Sequence, residues 1–330
     1  MRIFVCEYVT GGGLNGQPLP PGLAAEGDLM LRALVNDLAA LPGLSVVTTR
    51  DARLPVGDLP CAIETLAAER DSWSSWRRLT EACDALWPIA PESGGLLERL
   101  SRMAQVSGRR LLGSTADTVR LTASKRATAA RLGSQGVVVV PCGSAEAPPA
   151  SRTGWVVKPD DGAGCEATFL LQTPAALRRW RDSTADTARF VVQPFVPGPA
   201  VSLSLLCRNG FARLLSCNRQ VVTCEAGRFR FHGVEVGGHA ARRDAYEAIA
   251  GTIAGAIPGL WGYVGVDLIE TDAGPLLLEV NPRLTTSYAG LARLLGCNPA
   301  ALVLELLQET MPSVPAAGRS VAIMPAAAHA

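Results

Sequence analysis

Two apolar runs near the end of the chain carry acids where a protein core does not tolerate them unaided. Gly265-Val-Asp267-Leu-Ile269 and Leu276-Leu-Leu-Glu279-Val-Asn281-Pro-Arg283 read as strands, with Asp267 and Glu279 in their interiors. An unpaired buried carboxylate costs several kcal/mol, so both acids call for a compensating cation. Asn281, two residues beyond Glu279, shares its strand face and offers a further oxygen. Magnesium suits such a set, since it takes hard oxygen ligands and keeps water and phosphate oxygens in its shell. The expected occupants are one or two Mg2+ ions, or Mn2+ in their place. The alternative is that both strands are sheet edges, with the carboxylates solvated or paired with Arg283.

A second feature is compositional. Of 31 basic residues only Lys125 and Lys158 are lysines. A compact, strongly hydrated ammonium differs chemically from a planar guanidinium, so these two positions mark a site. Lys158 ends the strand-like Trp155–Pro159 and leads into Asp160-Asp-Gly162-Ala-Gly164-Cys-Glu166. There an ammonium and backbone N–H groups can converge on phosphate oxygens, although a hairpin also uses a Gly-x-Gly turn. Neither a Walker A loop nor a dinucleotide fingerprint is present. Phe190-Val-Val-Gln193-Pro194-Phe195-Val196-Pro-Gly198 reads as a strand entering a proline-rich hinge. Apolar side chains would stack on an adenine there, while the Pro194 carbonyl accepts and the Val196 amide donates.

Composition narrows the class. A chain of 330 residues with 48% hydrophobic and 18% charged residues has material for two or three packed lobes. Net charge is +1 and the basic residues are scattered, so no nucleic-acid partner is expected. The N-terminal apolar run is interrupted at Glu7 and no segment is long enough to span a bilayer, which predicts no membrane association and a cytoplasmic location. Nine cysteines without a CxxC pair, and three histidines without ligand spacing, argue against a disulfide framework and structural zinc.

Periodicity divides the chain. Strands at Arg2–Tyr8, Leu44–Thr49 and Ala85–Ile89, a Thr10–Gly13 turn and a helix over Ala24–Leu41 predict an α/β N-terminal lobe, residues 1–110, with a parallel sheet. A helix over Thr115–Leu132 carries Lys125, and Val137–Pro141 reads as a short strand. Short strands from Trp155 to Ser216, one helix among them, then Tyr263–Glu270 and Pro275–Val280, predict an antiparallel α+β region. Arg228–Glu235 reads as a glycine-bounded loop, and 311–330 as a Pro/Ala-rich tail.

In this order, a helix lysine, a strand lysine with a glycine loop, QPFVPG, a strand aspartate and ExNPR resemble the ATP-grasp family over about 111–310. That resemblance implies two lobes sandwiching ATP: a linker helix region (111–143), a small lid lobe (144–200) and a large lobe (201–310). It further implies that Lys125 and Lys158 hold phosphates, that the loop with Asp160, Gly162 and Gly164 closes over them, and that Gln193, Pro194, Phe195 and Val196 hold adenine. Asp267, Glu279 and Asn281 would hold the metal, and Arg283, with Lys158, would serve catalysis. Two departures stand out: Ala200 replaces a ribose-binding glutamate, and Gly265 replaces an arginine of D-alanine ligases, leaving Arg283 or Arg219 to stabilise the transition state.

The opening, Phe4-Val-Cys-Glu7-Tyr-Val-Thr-Gly11-Gly12-Gly13 with Glu26-Gly-Asp28, is similar to the tyramine–L-glutamate ligases of methanofuran and methylofuran biosynthesis. This implies an acyl phosphate on the γ-carboxyl of glutamate, attacked by tyramine or a tyrosine-like amine. Glu7, Gly11, Gly12, Gly13, Arg219, Arg230, His232 and Arg283 are then the substrate candidates; a plain turn at Gly11–Gly13 and an idle surface His232 are the alternatives. The partners expected are small molecules, and a homodimer is compatible with the chain. A ligase for another small acid, and a regulatory protein that binds ATP without turnover, remain open.

Overall fold

The computed structural model of the protein describes residues 1–162 and 164–325; Ala163 in the expected lid loop and 326–330 at the end of the expected tail lie outside the described residues. Strands β1 (Arg2–Glu7), β2 (Ser45–Asp51), β3 (Ala62–Leu66), β4 (Ala85–Ile89) and β5 (Arg110–Leu111) form a parallel sheet in the order β3-β2-β1-β4-β5. The central β1 buries Ile3, Phe4, Val5 and Cys6 completely, as expected for a parallel strand covered on both faces. The flanking helices are α1 (Pro21–Ala39), α2 (Ser72–Glu81) and α3 (Leu96–Val106). Proline occupies the first position of α1, and Met30, Leu31, Leu34, Val35 and Leu38 make its buried stripe. β3 and α3 were not among the elements expected from periodicity.

The expected helix over Thr115–Leu132 is two helices, α4 (Ala116–Ala123) and α5 (Lys125–Gly133). Ser124 between them is extended (ψ 112°), and its Oγ accepts from the Ala127 amide at 3.0 Å, an N-cap for α5. The break sets Lys125 at the first residue of a helix. Val137–Pro141 is not a strand; the chain there exchanges backbone hydrogen bonds with Leu277 and is otherwise irregular.

A second, antiparallel sheet follows. Its lid part holds β6 (Trp155–Pro159), β7 (Phe169–Leu171) and β8 (Phe190–Pro194), with α6 (Pro174–Ser183) packed on it. Its larger part holds β9 (Ala200–Arg208), β10 (Phe211–Glu225), β11 (Arg228–Val236), β12 (Gly262–Thr271) and β13 (Gly274–Asn281), with α7 (Arg243–Ala256) against β10 and β9. The order is β13-β12-β9-β10-β11-β7-β6-β8, the two parts meeting where Arg228 faces Phe169.

The connection from β8 to β9 turns at Gly198 (φ 155°), where a Cβ would lie 2.1 Å from the Glu270 carbonyl oxygen; only glycine passes there. Helices α8 (Tyr288–Leu295) and α9 (Pro299–Glu305) pack on α1 and tie the lobes together. The stretch expected to be a tail instead contributes β14 (Val321–Ile323), paired with β11. Among the described residues no single helix is long and apolar enough to cross a membrane.

Candidate active site

Between the lid strands, the large sheet and the N-terminal lobe lies a cavity of about 650 Å³. Lys125, Lys158, Asp267, Glu279, Asn281 and Arg283 all line it. Gly162 and Gly164 border it from the lid loop, and Gln193, Pro194, Phe195 and Val196 from the hinge.

The acids reach it by register. β12 and β13 run antiparallel with Asp267 directly opposite Glu279, so both side chains share one face of the sheet. Asp267 accepts from Asn281 Nδ2 at 3.0 Å and from Gln220 Nε2 at 2.9 Å. Lys125 Nζ stands 3.1 Å from Glu279 Oε2 and donates to the Gly162 carbonyl at 2.6 Å, so helix α5, the acidic strands and the lid loop meet at one ammonium.

Burial pushes the Asp267 carboxyl well above its ordinary range, and the neighbouring Glu279 charge adds to it. Burial acts the same way on Glu279, but Lys125 and Lys158 outweigh it and hold that carboxyl low. Burial also pulls the Lys158 ammonium down, with Glu279 opposing. Two half-buried carboxylates side by side, one pushed toward its neutral form, are what a divalent cation resolves, and the oxygens of Asp267, Glu279 and Asn281 fit a hard ion such as magnesium. Among the described residues no set of three His, Cys, Asp or Glu side chains is grouped for a metal, so phosphate and water would complete the shell.

Arg283 lines the cavity, and an acid that the sequence did not point to sets its orientation. Its guanidinium is held by both oxygens of Glu92, Nε at 2.9 Å and Nη2 at 3.0 Å, and both side chains are largely buried. Glu92 sits in the turn after β4, so the N-terminal lobe positions an arginine of the large lobe. Glu26 of α1 also lines the cavity; burial raises its pKa, with Arg283 opposing, and it makes no hydrogen bond or ion pair among the described residues. Glu92 gave no signal in sequence, and Glu26 only the Glu-Gly-Asp motif, because the packing of one lobe against the other sets their roles.

Several candidates lie elsewhere. Asp160 does not line the cavity: its carboxylate accepts from Ser124 Oγ at 2.7 Å and the Arg126 amide at 2.9 Å, fastening the lid loop to the start of α5. Glu7 is 2% exposed and turned inward, accepting from the Val9 amide and from the Thr10 amide and hydroxyl. Gly11, Gly12 and Gly13 form a π-helical turn locked by Thr49 Oγ1 to the Gly11 carbonyl (2.9 Å) and Ser72 Oγ to the Gly12 carbonyl (2.6 Å). Their packing inside the N-terminal lobe keeps all four residues from the cavity.

Arg228–Glu235 is no loop but most of strand β11, and alternation decides its exposure. Phe229 and Phe231 line the cavity, whereas Arg230 and His232 are exposed, His232 Nε2 lying 2.8 Å from Thr223 Oγ1. Arg219 lines the cavity but is engaged by Glu235 at 2.8 Å. Gly265 has a physical reason to replace an arginine: a Cβ there would lie 2.6 Å from Thr285 Cγ2.

Comparison with known proteins matches this arrangement. A family model described as ATP-grasp domain covers residues 122–287, and one described as pre ATP-grasp 3 domain covers 44–119. Tyramine–L-glutamate ligase of Methanocaldococcus fervens is 25% identical over 292 residues, 88% of this chain and 89% of the relative. The Methanocaldococcus jannaschii protein of that name is 27% identical over 212 residues, 64% of this chain and 59% of the relative. A crystal structure from Archaeoglobus fulgidus, described as of the ATP-grasp superfamily, superposes with a TM-score of 0.72 at 22% identity, covering 92% of this chain and 88% of its own.

Proposed function

The chain belongs to the ATP-grasp family, and from that premise we propose that it is a ligase joining a carboxylate to an amine through an acyl phosphate. The observation that carries this reading is the convergence of both lysines, the facing acids and the lid loop on one cavity.

In this reading Lys125 and Lys158 hold the α- and β-phosphates through their ammonium groups. Gln193, Pro194, Phe195 and Val196 hold the adenine. Asp267, Glu279 and Asn281 hold magnesium, which when bound shields the triphosphate charge. Arg283, fixed by Glu92, faces the phosphoryl group in transfer. A substrate carboxylate oxygen displaces ADP from the γ-phosphorus, and the glycine loop, tied down by Asp160, excludes water from the acyl phosphate. The amine nitrogen then attacks the acyl carbon, losing a proton as phosphate departs with the C–O bonding pair.

The names of the two relatives favour L-glutamate as the acid and tyramine as the amine; activation of the γ-carboxyl, a tyrosine-like amine in place of tyramine and a step in methylofuran biosynthesis are what the sequence resemblance adds. The test is product analysis with ATP, magnesium, L-glutamate and tyramine. ADP, phosphate and γ-glutamyltyramine are expected, and only with all components present. AMP with pyrophosphate, or ATP binding with no turnover for any acid and amine pair, would overturn the assignment.

A further inference from the structure

A half-buried carboxylate in the cavity wall is left without a role after nucleotide and metal are assigned. Glu26 of α1 lines the cavity half-buried, with no hydrogen-bond or ion-pair partner among the described residues. Arg283 is the nearest compensating charge, but it already gives two hydrogen bonds to Glu92. A carboxylate in this position lacks a dedicated cation of its own, and desolvating it without one is costly.

The surroundings say what kind of cation fits. Met30, one helical turn from Glu26 on the same face of α1, lines the cavity beside Val234 and Phe231 of β11, and these three pack in one apolar cluster. A negative end next to an apolar wall matches an amphipathic cation, an ammonium on a hydrocarbon or aromatic body. A dicarboxylate donor is the poorer match, because its charges would be repelled by Glu26 and stripped of water by the wall.

We propose that Glu26 receives the protonated amine of the acceptor substrate, whose apolar body lies on Met30, Phe231 and Val234, and that the bound ammonium passes one proton to the Glu26 carboxylate, which frees the nitrogen lone pair for attack on the acyl carbon. The inference rests on the ligase reading and adds to it the residue that recognises the nucleophile. Glu26 is thereby a substrate-binding residue, and the acceptor class is a primary amine on an apolar frame.

The test uses the full chain and Glu26→Gln, with Glu26→Asp as the conservative variant. Tyramine binding is measured by calorimetry with ADP and magnesium present, without turnover. Loss of one charge-assisted hydrogen bond predicts about tenfold or more weaker binding in Glu26→Gln, with partial recovery in Glu26→Asp and unchanged ADP affinity. In turnover, KM for tyramine rises by a similar factor, whereas glutamate hydroxamate formation with hydroxylamine, a small neutral nucleophile, stays within about twofold of the parent. No tyramine binding by the parent protein, equal binding by Glu26→Gln, or a parallel fall in hydroxamate formation would each overturn the proposal. Retained tyramine binding without hydroxamate formation by the parent protein would instead sink the ligase reading.

Discussion

Replacing Glu92 by glutamine separates a positioning role for this residue from a passive one. The carboxylate and the Arg283 guanidinium are 5% and 13% exposed and meet through two hydrogen bonds. Breaking a buried pair by removing one charge costs about 3–5 kcal/mol, because the partner is left uncompensated. Arg283 borders a cavity that water reaches, so the lower figure, about 3 kcal/mol, applies. For a chain of this length the unfolding entropy is about 0.7 kcal/mol per kelvin, so Tm should fall by about 4 °C.

Kinetics should show a second signature. A guanidinium freed from its bidentate clamp no longer meets the transferring phosphoryl group in one orientation, and kcat should drop by about 10- to 100-fold while KM for ATP changes little. Replacing both partners, Glu92→Leu with Arg283→Met, should recover most of the lost Tm but none of the activity. A Tm loss below about 1 °C for Glu92→Gln, or an unchanged kcat, would refute the argument, since Arg283 would then be neutralised and oriented by something else.

Three further outcomes follow from local geometry. Ser124→Ala removes the cap of α5 and the bond to Asp160, so thermal stability should fall by about 1 kcal/mol and KM for ATP should rise as Lys125 loosens. Gly265→Ala should destabilise by about 1–3 kcal/mol through its clash with the Thr285 methyl, and adding Thr285→Ser, which keeps the hydroxyl bonded to Tyr263 at 2.8 Å, should restore most of it. Burial lifts Asp37 on α1 to about 6, against the hydrogen bond from the Tyr288 hydroxyl. Since the folded state holds that proton more tightly than the unfolded chain, the stability it contributes is present at acid pH and lost as pH rises through about 6. Asp37→Asn should therefore raise stability at pH 8 by about 1–2 kcal/mol after allowance for partial exposure, and flatten the profile between about pH 4 and 7, as urea titrations across that range would record.

Chemistry that violates a local rule was readable in the sequence. Asp267 and Glu279 are acids inside apolar strands, and Lys125 and Lys158 are lysines in a chain that otherwise uses arginine; each anomaly led to the cavity wall. The mistaken expectations came from features with a bland local explanation. Glu7 beside three glycines looked like a substrate contact, yet its carboxylate is used up stabilising the turn that those glycines make. Glycines in and around Arg228–Glu235 suggest a loop, but the segment is strand, and its alternation sends Phe229 and Phe231 inward and His232 outward. Glu26 and Glu92 stayed hidden for another reason. Each is a glutamate in an ordinary helix or turn, and only the docking of the N-terminal lobe, with α1 against α8 and α9, gives it Arg283 for a neighbour.

Oxygen transfer tests most directly whether this cavity activates a carboxylate on phosphorus. L-glutamate labelled with ¹⁸O in its γ-carboxyl is incubated with ATP, magnesium and tyramine, and the released phosphate is analysed by mass spectrometry. Attack of the carboxylate on the γ-phosphorus predicts one labelled oxygen in the phosphate and the other in the amide product. Unlabelled phosphate, or label appearing in AMP, would contradict it.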